Sequence, residues 1–131
     1  MPAQRHSTGT PFEARVGFSR AVRVGNRILV SGTLGLTPDN RPAGDAYEQS
    51  VAAIRRIVGA IEALGGQASD VVRTRMFATD PVGDFDAIAR AHTDAFGANP
   101  PVTSLLGTSA LVVEGCVIEI EAEAELGAGA P

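Results

Sequence analysis

The sequence contains no lysine, because all eleven of its basic residues are arginine. This absence excludes a Schiff-base lysine and the lysine of a phosphate-binding P-loop. Cysteine occurs only as Cys116, so no disulfide can form within the chain. The other soft metal ligands are His6 and His92, and a tetrahedral zinc site would therefore depend on carboxylates. We expect no metal site.

Long apolar runs and an excess of positive charge are also missing. No apolar run approaches the roughly 20 residues that a membrane helix needs, and residues 1–10 lack the apolar core of a signal peptide. The formal net charge is −4, which disfavours sequence-independent binding to nucleic acids, since that binding relies on cationic contacts to phosphate. We expect a cytoplasmic protein that binds neither membranes nor nucleic acids.

The residues that are present predict one α+β domain over 1–131, with flexible ends at 1–12 and 126–131. Alternating and helical apolar patterns give the order β-β-α-β-α-β-β. The predicted strands are 21–24, 27–33, 71–79, 102–108 and 116–126, and the predicted helices are 45–64 and 84–96.

Two helices can cover only one face of a sheet this wide. The other face should combine apolar Leu29 and Phe77 with charged side chains such as Arg73 and Glu119. That mixture suits a subunit interface with polar pockets better than open water. We therefore expect a homo-oligomer.

The strong catalytic motifs, such as Gly-x-Ser-x-Gly and His-Glu-x-x-His, do not occur in the sequence. The segment Ile118-Glu119-Ile120-Glu121 places two carboxylates on one face of a strand, about 7 Å apart. Buried at an interface, Glu119 could have a raised pKa and position a water molecule as a general base.

Arg73 and Arg75 also point away from the predicted helices, because they alternate with Thr74 and Met76. One of these arginines could hold a carboxylate in a bidentate contact, or could pair with a nearby glutamate instead. We predict that Arg75 supplies the positive charge of a binding cleft.

An ordered set of short motifs between residues 18 and 124 resembles the RidA/YjgF family. The motifs are Ser31-Gly32, Gln49, Asp70-Val71-Val72, Asp84-Phe85, Pro100-Pro101 and Ile118-Glu119-Ile120-Glu121-Ala122. The resemblance implies a chorismate-mutase-like fold with two helices on one face of a single mixed sheet. It also implies a homotrimer with a small-molecule cleft at each subunit interface, and hydrolysis of reactive enamines and imines to keto acids and ammonia without a cofactor.

The resemblance also implies site residues. Glu119 matches the family glutamate that positions the attacking water, and Ser31-Gly32 matches the cleft strand. Three further positions carry substitutions of cleft residues: Phe18 for a tyrosine, Thr33 for a glutamine, and Val102 for the arginine that grips the substrate carboxylate. The sequence therefore resembles an arginine-lacking branch of the family.

The leading hypothesis is a RidA-like protein that binds a small metabolite between subunits and acts as a hydrolase or deaminase of an imine, enamine or related compound. Retained Glu119 favours this chemistry. The alternative is a non-catalytic metabolite-binding trimer in which Glu119 and Arg75 serve recognition, as the loss of arginine at Val102 favours. The acidic net charge and the absence of lysine disfavour a third hypothesis, an endoribonuclease.

Overall fold

A six-stranded mixed sheet organises residues 2–129, the part of the chain that the computed structural model describes. Its elements in chain order are β1 (Gln4–His6), α1 (Pro11–Val16), β2 (Ala21–Val24), β3 (Arg27–Leu34), α2 (Ala46–Ala63), β4 (Val71–Ala78), α3 (Phe85–Phe96), β5 (Val102–Gly107) and β6 (Ile118–Glu125), with a 3₁₀ turn at Ala68–Asp70 before β4. The predicted α+β class is confirmed.

The strand order across the sheet is β1-β2-β3-β6-β4-β5. Strands β4 and β5 run parallel, and every other neighbouring pair is antiparallel. The last strand of the chain, β6, therefore lies between β3 and β4 near the middle of the sheet. This position matters because β6 carries the glutamates that the sequence analysis selected.

Helices α2 and α3 cover one face of the sheet, as expected. Their apolar stripes bury Ile57, Ile61 and Ile88 against Ile118 and Ile120 of β6, and all five side chains are almost completely removed from solvent. Side chains alternate between the two faces along a strand. The opposite face therefore carries Glu119, Glu121 and Glu123. The core thus fixes which face presents the carboxylates.

The N-terminal region adds two elements that the sequence pattern did not predict, β1 and the short helix α1. A capping box begins α1, in which the Thr10 hydroxyl accepts from the Glu13 amide and the Glu13 carboxylate accepts from the Thr10 amide. The helix ends at Gly17, whose φ of 84° is readily available only to glycine. Flexibility of the termini stays a prediction, and residues 130 and 131 lie outside the described residues.

A β-bulge interrupts the pairing of β3 with β6. Val30 pairs with Ala122 and Thr33 pairs with Ile120, so Ser31 and Gly32 together face the single residue Glu121. A bulge of this kind bends its strand and changes the direction of the side chains that follow. Here it turns Thr33 into the buried face and leaves Ser31-Gly32 on the face that carries the glutamates.

Candidate functional site

A cavity of about 520 Å³ lies beside the bulge, on the sheet face that α2 and α3 leave open. We call it the Glu119 cavity; its polar lining includes Arg20, Ser31, Arg56, Glu119 and Glu121, and its apolar lining includes Phe12, Val16, Phe18, Leu36 and Val112. Five residues that the sequence analysis named meet here: Phe18, Ser31, Gly32, Glu119 and Glu121.

The Glu119 carboxylate lies directly against the backbone of Gly32. A Cβ atom at position 32 would come within 2.8 Å of Glu119 Oε1, which is closer than real contacts allow. Any side chain at position 32 would therefore force the Glu119 carboxylate to move. The Ser31-Gly32 bulge and Glu119 form one local unit.

The environment of Glu119 disfavours its charged form. Burial raises the pKa of this carboxyl group, the positive charge of Arg20 opposes the change, and the negative charge of Glu121 adds to it. A raised pKa makes the Glu119 carboxylate a stronger base, which suits a group that takes up and releases protons during a reaction.

A buried arginine, Arg20, stands next to this carboxylate. Its Nη1 donates to the Gly32 carbonyl at 2.8 Å and to Thr33 Oγ1 at 2.9 Å, and its Nε lies 3.8 Å from Glu13 Oε2. These contacts tie β2 to the bulge and hold a cation in the cavity wall. Arg20 is 4% exposed, so a carboxylate partner is needed to offset its desolvation.

Glu13 supplies that partner from α1. Burial alone would raise the pKa of Glu13, but hydrogen bonds from Ser7, Thr8 and Thr10 outweigh it and lower the pKa to about 2. Glu13 is therefore ionised throughout the physiological range. Its Thr10-x-x-Glu13 capping box is the one sequence signal that could have identified this segment as ordered.

A second arginine, Arg56, reaches the Glu119 cavity from α2. Its Nη1 donates to the Leu34 carbonyl at 2.7 Å, and burial lowers the pKa of its guanidinium while Glu13 opposes the change. Its neighbour Arg55 is exposed on the helix surface and does not line this cavity. Two adjacent positions of α2 thus give their arginines different environments.

Arg75 lies in a different and smaller cavity, of about 220 Å³, together with Arg73 and Glu123. Its Nη1 is 3.0 Å from Glu121 Oε1 and 3.5 Å from Glu123 Oε1, since Arg75 and Glu121 are direct partners across β4 and β6. The ion pair with a neighbouring glutamate is thus the arrangement present in the subunit. A ligand-binding role for Arg75 stays a prediction.

Two other selected residues lie outside the Glu119 cavity. Thr33 is fully buried on the helix-covered face, where it accepts from Arg20 and donates to the Ser31 carbonyl. Val102 is 59% exposed on the edge strand β5, which β4 separates from β6. Their predicted contact with a ligand is not a property of the single subunit, and it stays a prediction for the assembled protein.

His92 and Cys116 have the environments of packed side chains. His92 Nε2 lies 2.8 Å from Thr74 Oγ1, the ring packs edge-on against Phe96, and burial lowers its pKa. Burial also raises the pKa of the Cys116 thiol, and the negative charge of Glu119 adds to this effect. Neither group has the features of a nucleophile or a general base.

Within residues 2–129 no group of three or more histidine, cysteine, aspartate or glutamate side chains is arranged to hold a metal ion. None of the helices in this described range is both long and apolar enough to cross a bilayer.

Comparison with known proteins gives consistent matches along almost the whole chain. The family model described as "Endoribonuclease L-PSP" matches residues 8–126. An uncharacterised protein of Streptomyces coelicolor is 36% identical over 126 residues, covering 95% of this chain and 93% of the relative. A rat protein named 2-iminobutanoate/2-iminopropanoate deaminase is 32% identical over 123 residues, covering 92% and 88%.

The solved structures agree with this result. The crystal structure of a member of the YjgF/YER057c/UK114 family from Mycobacterium tuberculosis has a TM-score of 0.87 and 38% sequence identity, and the match covers 95% of this chain and all of the other. The chain therefore shares the fold of this family member over nearly its whole length.

Proposed function

Because this chain belongs to the RidA/YjgF family, we propose that it hydrolyses an imine or enamine of a 2-oxo acid in the Glu119 cavity. The observation that carries the proposal is Glu119 itself, a half-buried carboxyl group with a raised pKa, pressed against Gly32 at the wall of a ligand-sized cavity. Relatives of this chain are named as imine deaminases, which supports the reaction class.

The proposed reaction needs only water and a group that transfers protons. Glu119 takes a proton from water as the water oxygen bonds to the imine carbon, and this proton passes to the imine nitrogen. Glu119 then takes the proton of the new hydroxyl group and passes it to the amino group, after which the C–N bond breaks. Ammonia and a 2-oxo acid leave, and Glu119 returns to its starting state.

Each neighbour of Glu119 has a part in this proposal. Gly32 leaves space for the carboxylate, Arg20 limits the rise in its pKa, and Phe18 forms an apolar wall that keeps bulk water from the reacting carbon. The base form of Glu119 is required for the first proton transfer. The rate should therefore rise with pH through the raised pKa of Glu119.

We further propose that the working protein is a cytoplasmic homotrimer whose neighbouring subunit closes the cavity. The open sheet face supports an interface, because it carries Leu29, which is 39% exposed, beside ion pairs such as Arg27–Glu123 at 2.8 Å. The cavity opens on this same face. A second subunit would exclude water from Glu119 more completely than one subunit can.

A non-catalytic metabolite-binding trimer remains the second candidate, since specific observations favour it. Val102 stands exposed where the resemblance implies an arginine, and Phe18 has no hydroxyl group. Both substitutions remove polar contacts from the expected cleft. We do not propose an endoribonuclease, because the net charge is −4 and the chain has no lysine.

The two candidates are separated by measuring 2-oxo acid formation from 2-iminobutanoate, generated in situ from an amino acid. We expect the protein to accelerate hydrolysis over the spontaneous rate, and Glu119→Gln to remove the acceleration. Glu125→Gln, at the exposed end of β6, is the matched control and should leave the rate unchanged. Equal activity of wild type and Glu119→Gln would contradict the proposal, and no acceleration by the wild type would favour the binding protein.

A further inference from the structure

The charged lining of the Glu119 cavity consists of two arginines, Arg20 and Arg56, and two glutamates, Glu119 and Glu121. Arg20 is offset by Glu13, and Glu121 is offset by Arg75 at 3.0 Å. Within the described residues, Arg56 makes no ion pair, and its one hydrogen bond goes to the Leu34 carbonyl. Among the charged groups of this lining, Arg56 is therefore the cation that no direct ion pair within residues 2–129 offsets.

Arg20 also has donors that the protein does not use. Both of its hydrogen bonds come from Nη1, to Gly32 and Thr33. Its Nε is buried without a hydrogen-bond partner, and its Nη2 has none among the described residues. Unused N–H groups on a buried guanidinium are rare, because leaving them unpaired is costly. Nε faces Glu13 Oε2 at 3.8 Å and is closed to the cavity, so Nη2 is the donor group that a planar anion could use.

The two arginines act on each other across the cavity. The positive charge of Arg56 lowers the pKa of Arg20, and burial lowers the pKa of both groups. Two like charges that are partly removed from water repel each other more strongly than they would in solvent. A bound anion between them would reduce this repulsion and could accept from Arg20 Nη2.

The rest of the lining is apolar. Val16 and Val112 are 73% and 77% exposed at the cavity, and Phe12, Phe18 and Leu36 line it beside them. The cavity volume of 520 Å³ falls in the range of about 300–1,000 Å³ that holds ligands much larger than a three-carbon acid. An apolar substituent on the ligand would cover these exposed side chains.

We propose that Arg20 and Arg56 bind the carboxylate of the ligand, and that the apolar wall selects 2-imino and 2-oxo acids with a bulky apolar side chain. This inference rests on the proposed function, because it names the substrate class of the same site. It places the carboxylate at the arginines and the imine carbon at Glu119. Arg56 is a binding residue, and Glu13 is a positioning residue that holds Arg20.

The test measures binding of product-like acids by titration calorimetry, so it does not depend on turnover. The probes are 4-methyl-2-oxopentanoate, its uncharged amide, and pyruvate. We expect the branched acid to bind more tightly than pyruvate. The amide should bind about tenfold to a hundredfold more weakly than its acid, because it loses a charge-assisted contact. An amide that binds as well as the acid would overturn the inference.

The variants test each part of the site. Arg56→Gln should weaken binding of the branched acid by about tenfold or more, Arg56→Lys should retain part of it, and Arg55→Gln is the control. Equal affinities of Arg56→Gln and Arg55→Gln would overturn the inference. Val16→Ser should weaken binding of the branched acid and leave binding of pyruvate unchanged. The control is Val82→Ser, at an exposed position away from the cavity, and it should change neither affinity.

The outcome is separable from that of the proposed function. Binding that depends on the carboxylate and on Arg56, without hydrolysis by the wild type, would support this inference and contradict the catalytic proposal. The opposite outcome is hydrolysis that is lost in Glu119→Gln but keeps its full rate in Arg56→Gln at low substrate concentration. It would support the catalytic proposal and contradict the binding site at the arginines.

Discussion

Replacing Glu13 by glutamine should destabilise the protein at neutral pH, because Glu13 holds both α1 and Arg20. Its carboxylate accepts from Ser7 Oγ at 2.6 Å, from Thr8 Oγ1 at 2.7 Å and from Thr10 Oγ1 at 2.8 Å, and it is the charged partner of Arg20. Each unit of pKa corresponds to about 1.4 kcal/mol of unfolding free energy. A pKa lowered from 4.5 to about 2 therefore corresponds to about 3 kcal/mol at pH 7.

The pH dependence of this stabilisation has a defined sign. The folded protein holds Glu13 ionised more strongly than the unfolded chain does, since its pKa is lowered from 4.5 to about 2. The contribution is complete above pH 4.5 and is lost as the pH falls through about 2. The difference in unfolding free energy between wild type and Glu13→Gln should therefore shrink over this window.

Urea unfolding at a fixed protein concentration measures this difference, which must be compared at constant concentration because assembly contributes to stability. Glu62→Gln is the control, since Glu62 is exposed on α2. We expect a loss of about 3 kcal/mol for Glu13→Gln at pH 7 and a loss within about 0.5 kcal/mol for Glu62→Gln. Equal losses, or a Glu13→Gln effect that stays constant from pH 5 to pH 2, would refute the reasoning.

Gly32→Ala should reduce imine hydrolysis by about tenfold or more, because the new Cβ would lie 2.8 Å from Glu119 Oε1 and displace the carboxylate from its position. The control is Gly59→Ala, at an exposed position of α2 with open space around it, and it should leave the rate unchanged. Equal rates for the two variants would contradict the contact between Gly32 and the Glu119 carboxylate. Thr10→Ala should lower the unfolding free energy by about 1 kcal/mol, less than Glu13→Gln, because it removes the α1 cap and leaves Glu13 ionised; a larger loss than that of Glu13→Gln would contradict this order. Light scattering should give three times the subunit mass, and a monomer at micromolar concentration would contradict the trimer.

The strand that carries Glu119 could be predicted from the sequence, because side chains along a strand point alternately to its two faces and the pattern is visible within a few residues. Ile118, Ile120 and the alanines that follow are buried, so Glu119 had to stand on the opposite face. The ordered short motifs then related that glutamate to Ser31-Gly32, and the structure places both in one cavity.

The roles of the arginines at the site could not be predicted in the same way. The partners of each arginine depend on how segments that are distant in the sequence pair in the fold. Arg75 was placed on the correct face, but only the register of β4 with β6 sets it opposite Glu121. The role of Arg20 could not be predicted, because its partner Glu13 lies next to residues 1–12, which were assigned to a flexible end. Arg55 and Arg56 are consecutive residues of α2, so they point in different directions around the helix axis. The pattern of apolar residues shows which side of the helix is buried, but it does not show which of these two arginines reaches the cavity.

The most direct test of the catalytic role of Glu119 is the pH profile of kcat/KM for imine hydrolysis, corrected for the spontaneous reaction. We expect the rate of the wild type to rise with pH, with a midpoint above the ordinary glutamate value of 4.5, because burial raises the pKa of Glu119. Glu119→Gln should lack this rise. A wild-type profile that is flat from pH 4.5 to pH 8, or one that Glu119→Gln reproduces, would contradict the account.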